Sequence, residues 1–228
     1  IAAVKHHGLL AAYGTGWDFL PFWRDDNGGA GARLSGCAVV CPGATAREEW
    51  AYFLAMQPEV HQVETDPATA AYLEPLGFHT TYRPVLELPR LETTEHADTP
   101  PLGALYPLLC AVFGEEALPP FDVWYADMSH RLRHDCGRAA GVIREGHTVS
   151  CSLVTAECAV AGLVSGVATH PAYRGQGLAR LCVASLANAL IDAGKHAYIC
   201  PKNEAADRLY RHWGAVETGT LALLTRQE

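Results

Sequence analysis

The chain has 228 residues, 49% of them hydrophobic, and a formal net charge of −8 with a pI near 5.7. That is enough apolar material for one large domain or two of about a hundred residues each, and an acidic chain lacks the basic face that a nucleic-acid surface needs. No apolar run approaches the ~20 residues of a membrane span, and Lys5, His6 and His7 stand where a signal-peptide core would begin, so the expectation is a cytoplasmic protein with no membrane partner. Eight cysteines, at positions 37, 41, 110, 136, 151, 158, 182 and 200, sit mostly inside apolar segments with no Cys-x-x-Cys pair, the pattern of buried reduced thiols rather than disulfides or a zinc site.

From the start, Leu9 to Tyr13 and Trp17 to Trp23 read as strands, Asp25 to Gly31 as a turn, and Arg33 to Cys41 as a further strand. Thr45 to Met56 reads as a helix with Thr45 as cap and Glu48 completing a capping box. A short strand, His61 to Glu64, precedes a helix from Pro67 to Leu76 that Gly77 ends. Phe78 to Leu88 closes this half as a strand, with Pro84 marking a bulge or an edge in it.

Pro89 to Pro101 is polar and flanked by prolines, the composition of a linker, and divides the chain into residues 1–97 and 98–228. Two helices follow, Leu102 to Phe113 and Val123 to His134, then two strands, Arg138 to Arg144 and His147 to Glu157, joined at Glu145-Gly146. Leu163 to Thr169 is a buried strand stopped by Pro171, and from Leu178 the residues Leu181, Cys182, Leu186 and Leu190 recur at helical spacing until Gly194. Ala197 to Cys200 is a strand, Asn203 caps a helix that runs to Trp213 before Gly214, and Ala215 to Leu224 is the last strand.

The connection Arg174-Gly175-Gln176-Gly177-Leu178-Ala179 joins a strand to a helix through two glycines. Unpaired N–H groups and the positive end of a helix dipole then converge on one spot suited to an anion such as a pyrophosphate. Two named phosphate motifs do not fit it: a dinucleotide fingerprint needs glycine where Arg180 stands, and a P-loop needs Gly-Lys-Ser/Thr. The pattern Arg174-x-x-Gly177-x-Ala179 after Gly166-Val167-x-x-His170-Pro171-x-Tyr173 resembles motif A of the GNAT superfamily of acyl-CoA N-acyltransferases, its FR47-like members most closely. A second stretch, Asn203-x-x-Ala206-x-x-Leu209-Tyr210-x-x-x-Gly214, resembles the family's later signature, with Ala215 in place of an aromatic.

The resemblance covers the chain from about Thr99 on. It implies an α/β (α+β) fold with a mixed, mainly antiparallel central sheet flanked by helices, and an N-acetyltransferase that moves an acetyl group from acetyl-CoA to a small-molecule or peptide amine by direct attack, without a metal. The cofactor-binding residues it implies are Val167, Ala168 and Thr169 for the pantetheine arm, and Arg174, Gly175, Gln176, Gly177, Leu178, Ala179 and Arg180 for the diphosphate, with Asn203 beside them. Tyr210 would be the general acid, since a phenol of pKa ~10 stays protonated where a thiol near ~8.5 is leaving. Glu157 is the candidate base, with the plain alternative of a surface glutamate, and His130 and His170 stand further back. Cys200 as an acyl carrier is the weaker option, because direct transfer needs no covalent step. A non-catalytic acyl-CoA-binding or sensor module and a homodimer both stay open.

Asp66 to Phe78 aligns with Asn203 to Ala215 when Gly77 is set against Gly214, and Val40-Cys41-Pro42 parallels Thr169-His170-Pro171. The first half is accordingly read as a degenerate GNAT-like module. Leu73 stands where Tyr210 stands, and nothing after Pro42 reproduces the glycine turn, so this half is expected neither to bind the cofactor nor to catalyse.

Overall fold

The computed structural model describes residues 1–227. Among them the chain forms α1 (Ala2–Tyr13), β1 (Phe22–Arg24), β2 (Ala30–Leu34), β3 (Cys37–Cys41), α2 (Arg47–Ala55), β4 (Gln62–Thr65), α3 (Pro67–Leu73) and β5 (Phe78–Glu87). The second half follows with α4 (Tyr106–Phe113), α5 (Phe121–Arg133), β6 (Arg138–Arg144), β7 (His147–Glu157), β8 (Ala161–Thr169), α6 (Leu178–Asp192), β9 (His196–Ile199), α7 (Glu204–His212) and β10 (Val216–Arg226).

All ten strands join one mixed sheet in the order β1-β2-β3-β4-β10-β5-β9-β8-β7-β6. Only β3–β4 and β8–β9 are parallel; the other neighbours are antiparallel. Replacing each strand of the first half by its counterpart in the second gives the same order reversed, so the sheet has a pseudo-two-fold through β5–β10. In each half a three-strand meander crosses over through one helix, α2 or α6, to a parallel strand, as the 10-residue-plus connection between parallel neighbours requires. The final strands are exchanged: β10 pairs with β4 of the first half, and β5 pairs with β9 of the second.

The helix caps repeat with the strands. Asp66 accepts bonds from the N–H groups of Ala68 and Thr69 at the start of α3, and Asn203 accepts one from Ala206 at the start of α7. Gly77 and Gly214 end these segments with φ of 89° and 92°.

Alternate residues of β7 and β8 face opposite sides of the sheet. Val154 and Val164 pack with Leu181, Leu186 and Leu190 of α6, whereas Cys151, Leu153 and Ala168 pack with Leu109 of α4 and Trp124 and Met128 of α5. Helices α2 and α3 cover the first half through Trp50, Leu54 and Leu73.

Several expectations are corrected. Leu9 to Tyr13 is the end of a helix, α1, not a strand: Val4 packs with Ala156 and Leu163, and Leu9 with Ala32, so burial on two sides overrides a short apolar run that suits either structure. Because α1 touches both β2–β3 and β7–β8, with five strands between β3 and β7, the sheet curls around it. The Trp17 to Trp23 segment makes only a bridge, Trp17 to Leu20, before β1. Arg33 to Cys41 is a hairpin, broken at Ser35 and Gly36, whose φ values are 49° and 80°. Helix α2 starts at Arg47 with Ala46 at the cap position, so Thr45 does not cap it. Pro75 closes α3 as a single 3-10 turn. Pro84 lies where one edge of β5 is free, since β9 reaches only Leu86 and Glu87.

Candidate active site

Strand β8 pairs with β9 only from Ala161–His196 to Val164–Ile199, where β9 ends. From Ser165 to Thr169, β8 keeps β7 on one side and has no strand on the other. Main-chain groups along this free edge are left for another partner, which is the arrangement that an extended ligand satisfies by strand addition. Opposite Ser152 the strand carries an extra residue, with Gly166 at a left-handed φ of 56°. Ser165, Gly166 and Val167 are half-exposed, while Val164 and Ala168 on either side are buried. The opening is therefore confined to the point where the two strands part.

Strand β8 then runs through a 3-10 turn, Pro171–Tyr173, into the glycine connection. Gly175 and Gly177 have φ of 78° and 75°, and nothing lies within 4 Å of where a side chain would begin at either. Gly177 is the cap residue of α6, and no side chain caps the helix, so the N–H groups of its first turn face outward unoccupied by any side-chain acceptor. Arg174 is exposed and donates from Nε to the Thr169 carbonyl at 3.2 Å. Arg180 reaches across to the Glu92 carbonyl at 3.5 Å. Beside the turn is a cavity of about 910 Å³ lined by Gln176, Gly177, Leu178, Arg180, Leu181 and Asn188 on one side and by residues 90–96 on the other.

Tyr210, on α7, is 6% exposed and belongs to the cluster that holds Val164 and Ile199, the last paired residues before the strands part, and Leu178. Burial pushes its phenol up to about 12. A residue pair at the gap and the first residue of α6 thus share one apolar cluster with a phenol whose pKa is raised to about 12.

Residues 104–215 match the family model described as the acetyltransferase (GNAT) family. These residues form a GNAT domain. The whole chain has the fold of solved GNAT structures. A GCN5-related N-acetyltransferase from Kribbella flavida is 18% identical, with a TM-score of 0.70 over 100% of this chain and 95% of that one. A tandem GNAT protein from the clavulanic acid biosynthesis pathway is 15% identical, with a TM-score of 0.58 over 98% and 92%. A GCN5-related N-acetyltransferase from Sphaerobacter thermophilus is 20% identical, with a TM-score of 0.57 over 86% and 75%. No curated protein matches the chain.

Within the GNAT domain the candidate residues divide by what their side chains do. Ala168 and Leu178 are buried in the core and Val167 is packed against it, so the only polar groups these three can offer a ligand are main-chain ones. Thr169 shares a hydrogen bond with Ser150 at 2.8 Å. Gly175, Gln176 and Gly177 are exposed in the turn, with Ala179 half-buried behind them. Asn203 Oδ1 is occupied as the cap of α7, at 2.9 Å from the Ala206 nitrogen. His170 also acts locally, its Nδ1 accepting from the Ala172 N–H at 3.3 Å, and His130 bonds to the Ala12 carbonyl.

Glu157, the candidate general base, lies in a buried ion pair. It pairs with Gly162 at the opposite end of β8 from Thr169, about 20 Å from Thr169 at the rise of a strand. Its carboxylate is 2% exposed and accepts bonds from Arg138 at 2.7 and 2.8 Å and from Lys195 at 2.7 Å. Burial alone would raise its pKa, but the two cations hold it below the usual carboxylate range. The ion pairs tie β6, β7 and the loop after α6 together.

Two features escape the sequence reading. Residues 90–96 look like a free linker yet wall the cavity; the signal available is Leu91, a lone apolar residue in a polar run, which is 2% exposed. The bulge at Gly166 is signalled only by a glycine in mid-strand.

Proposed function

We propose that the protein is an acetyl-CoA-dependent N-acetyltransferase with a single working site in residues 98–228. The observation that carries this is the continuity of the free edge of β8, Ser165 to Thr169, with an uncapped, glycine-lined start of α6. The pantetheine amides would pair along that edge and the diphosphate would take the N–H groups from Gln176 to Ala179, leaving the thioester near the point where β8 and β9 part.

In this reading the amine attacks the thioester carbonyl, and the main-chain N–H at about Val167 faces the oxyanion. The carbon–sulfur bond then breaks, the electron pair goes to sulfur, and Tyr210 hydrogen-bonds the thiolate and supplies its proton; the proton lost by the ammonium passes to water, and the phenol regains its own from that water. A phenol near 12 is a weaker acid than the thiol it protonates, so Tyr210 acts chiefly by stabilising charge as it develops on sulfur. Cys200 as an acyl carrier is disfavoured, because burial pushes its thiol up to about 11 and leaves little thiolate near neutrality.

A second reading, an acyl-CoA-binding module without turnover, is favoured by one observation: the carboxylate nominated as base lies in a buried ion pair at the far end of the strand. Acetyl-CoA incubated with a panel of small amines and peptides, with free thiol followed, separates the two. Amine-dependent thiol release supports the transferase; CoA binding without release supports the module.

The first repeat is proposed to lack a site of its own. Strand β4 pairs with β3 at Cys37–Gln62 to Val39–Glu64 and runs on only to Thr65, so β3 has no long free tail. Among the described residues, none from Pro42 to Ala46 has a left-handed φ.

A further inference from the structure

The chain between the two repeats is fastened at both ends across the mouth of the glycine turn. At one end Leu91 is buried in the α6 cluster, its N–H donating to Asn188 Oδ1 at 2.9 Å and its carbonyl accepting from Asn188 Nδ2 at 2.8 Å. At the other end Asp98 exchanges two main-chain bonds with Gly141, at 2.8 and 2.9 Å, adding a short bridge to the edge of β6. Of the six residues between, Glu92 to His96 form one wall of the cavity of about 910 Å³ whose other wall is the turn and α6. A polar linker with nothing to cover has no reason to be held by a two-bond side-chain clamp and a β-bridge.

We propose that Glu92–Ala97 is a strap that holds the nucleotide end of coenzyme A against the glycine turn, and that Asn188 is the positioning residue that sets it. This rests on the acyl-CoA reading above and adds the part of the ligand that the turn alone does not grip. The free edge of β8 and the helix start account for the pantetheine arm and the diphosphate; beyond them the ligand carries a ribose, a base and a 3′-phosphate. The strap offers that end the hydroxyls of Thr93 and Thr94 and the imidazole of His96, facing Gln176 and Arg180 across the cavity. Glu92 and Glu95 on the same strap oppose an anion, and the guanidinium of Arg180, already bridging to the Glu92 carbonyl, offsets them. Because both ends are fixed before the ligand arrives, ordering the strap costs little at binding.

The test is calorimetric titration of the full chain with two probes, CoA and adenosine 3′,5′-bisphosphate, which is the nucleotide end without the arm. Asn188→Ala frees the strap, and a Thr93→Gly/Thr94→Gly variant loosens its exposed tip without touching the core. Both variants are expected to weaken both probes by the same factor, about tenfold, as lost preorganisation and hydrogen bonds would give, while the melting temperature of the unliganded glycine variant stays that of the parent. Unchanged affinities in the glycine variant, or weaker CoA binding with the bisphosphate unaffected, overturn the strap. Failure of the parent protein to bind CoA at all overturns the acyl-CoA reading itself.

Discussion

Tyr210 carries the clearest chemical expectation of any single residue. Its ring is fixed in the cluster with Leu178, Val164 and Ile199, and Trp213 lies against it with ring centroids 5.5 Å apart, so Tyr210→Phe keeps the packing and removes only the hydroxyl. The expected result is unchanged CoA affinity and a kcat about a hundredfold lower, the lower range for a positioned acid; a kcat within twofold of the parent contradicts the role. Since burial raises the phenol to about 12, ionisation of Tyr210 cannot account for any fall in rate below about pH 11. A pH–rate profile with an alkaline limb that survives in Tyr210→Phe agrees with that; one abolished by the substitution does not.

Glu157 carries an expectation about stability. Replacing it with Gln removes the negative charge that Arg138 and Lys195 share and sets an NH2 donor where a carboxylate oxygen accepted from Arg138, a change of the kind that costs about 3 kcal/mol in a buried pair. The folded pKa lies below the unfolded one, so the carboxylate's contribution is complete above the unfolded value of ~4.3 and fades as pH falls through the folded value. Denaturant titrations should therefore show Glu157→Gln less stable than the parent at pH 7 and the gap narrowing below pH ~4. A pH-independent gap contradicts the ion pair as its source.

At the scale of elements, the strand–turn–helix unit is legible in sequence because each part is signalled locally: a β-branched run, a proline stop, two glycines and a long apolar stripe from Leu178 to Leu190. The same holds for Asp66 and Asn203, which cap by their own side chains. Helix α1 is not legible, because its form depends on what it touches. Gly8, a poor helix former in mid-helix, sits where an added Cβ would lie 3.2 Å from the Glu157 nitrogen and 3.3 Å from Ala156 Cα. The neighbours are main chain and cannot yield, so Gly8→Ala, which would stabilise an isolated helix, is expected to lower the melting temperature by several degrees; a rise in melting temperature would show that the approach of α1 to β7 is looser than described. For Glu157 the place at a strand end is legible, but its pairing with Arg138 and Lys195 is not, because it depends on which residues the sheet and the loop after α6 bring beside it.

The arrangement of the whole molecule is the least legible, because it rests on pairings between residues more than a hundred apart. An alignment of Asp66–Phe78 with Asn203–Ala215 exposes the repeat, yet nothing local says that β10 lies between β4 and β5. That exchange has a direct consequence. Residues 98–228 contain the glycine turn and most of the α6 cluster, but without residues 1–97 that cluster loses Leu86, Leu88 and Leu91, strand β10 loses both its neighbours and β9 keeps only β8. The truncated chain is expected to show no cooperative thermal transition and no CoA binding, whereas a sharp transition with retained binding would mean that the halves are independent.

The central claim is that coenzyme A lies along the free edge of β8 and ends on the turn before α6. Amide chemical shifts of the ¹⁵N-labelled full chain, followed as CoA is added, test it most directly. The account predicts shifts concentrated at Ser165–Thr169 and Gly175–Arg180, with the counterpart region after Pro42 silent; shifts confined to the first repeat, or none at saturating CoA, would contradict it.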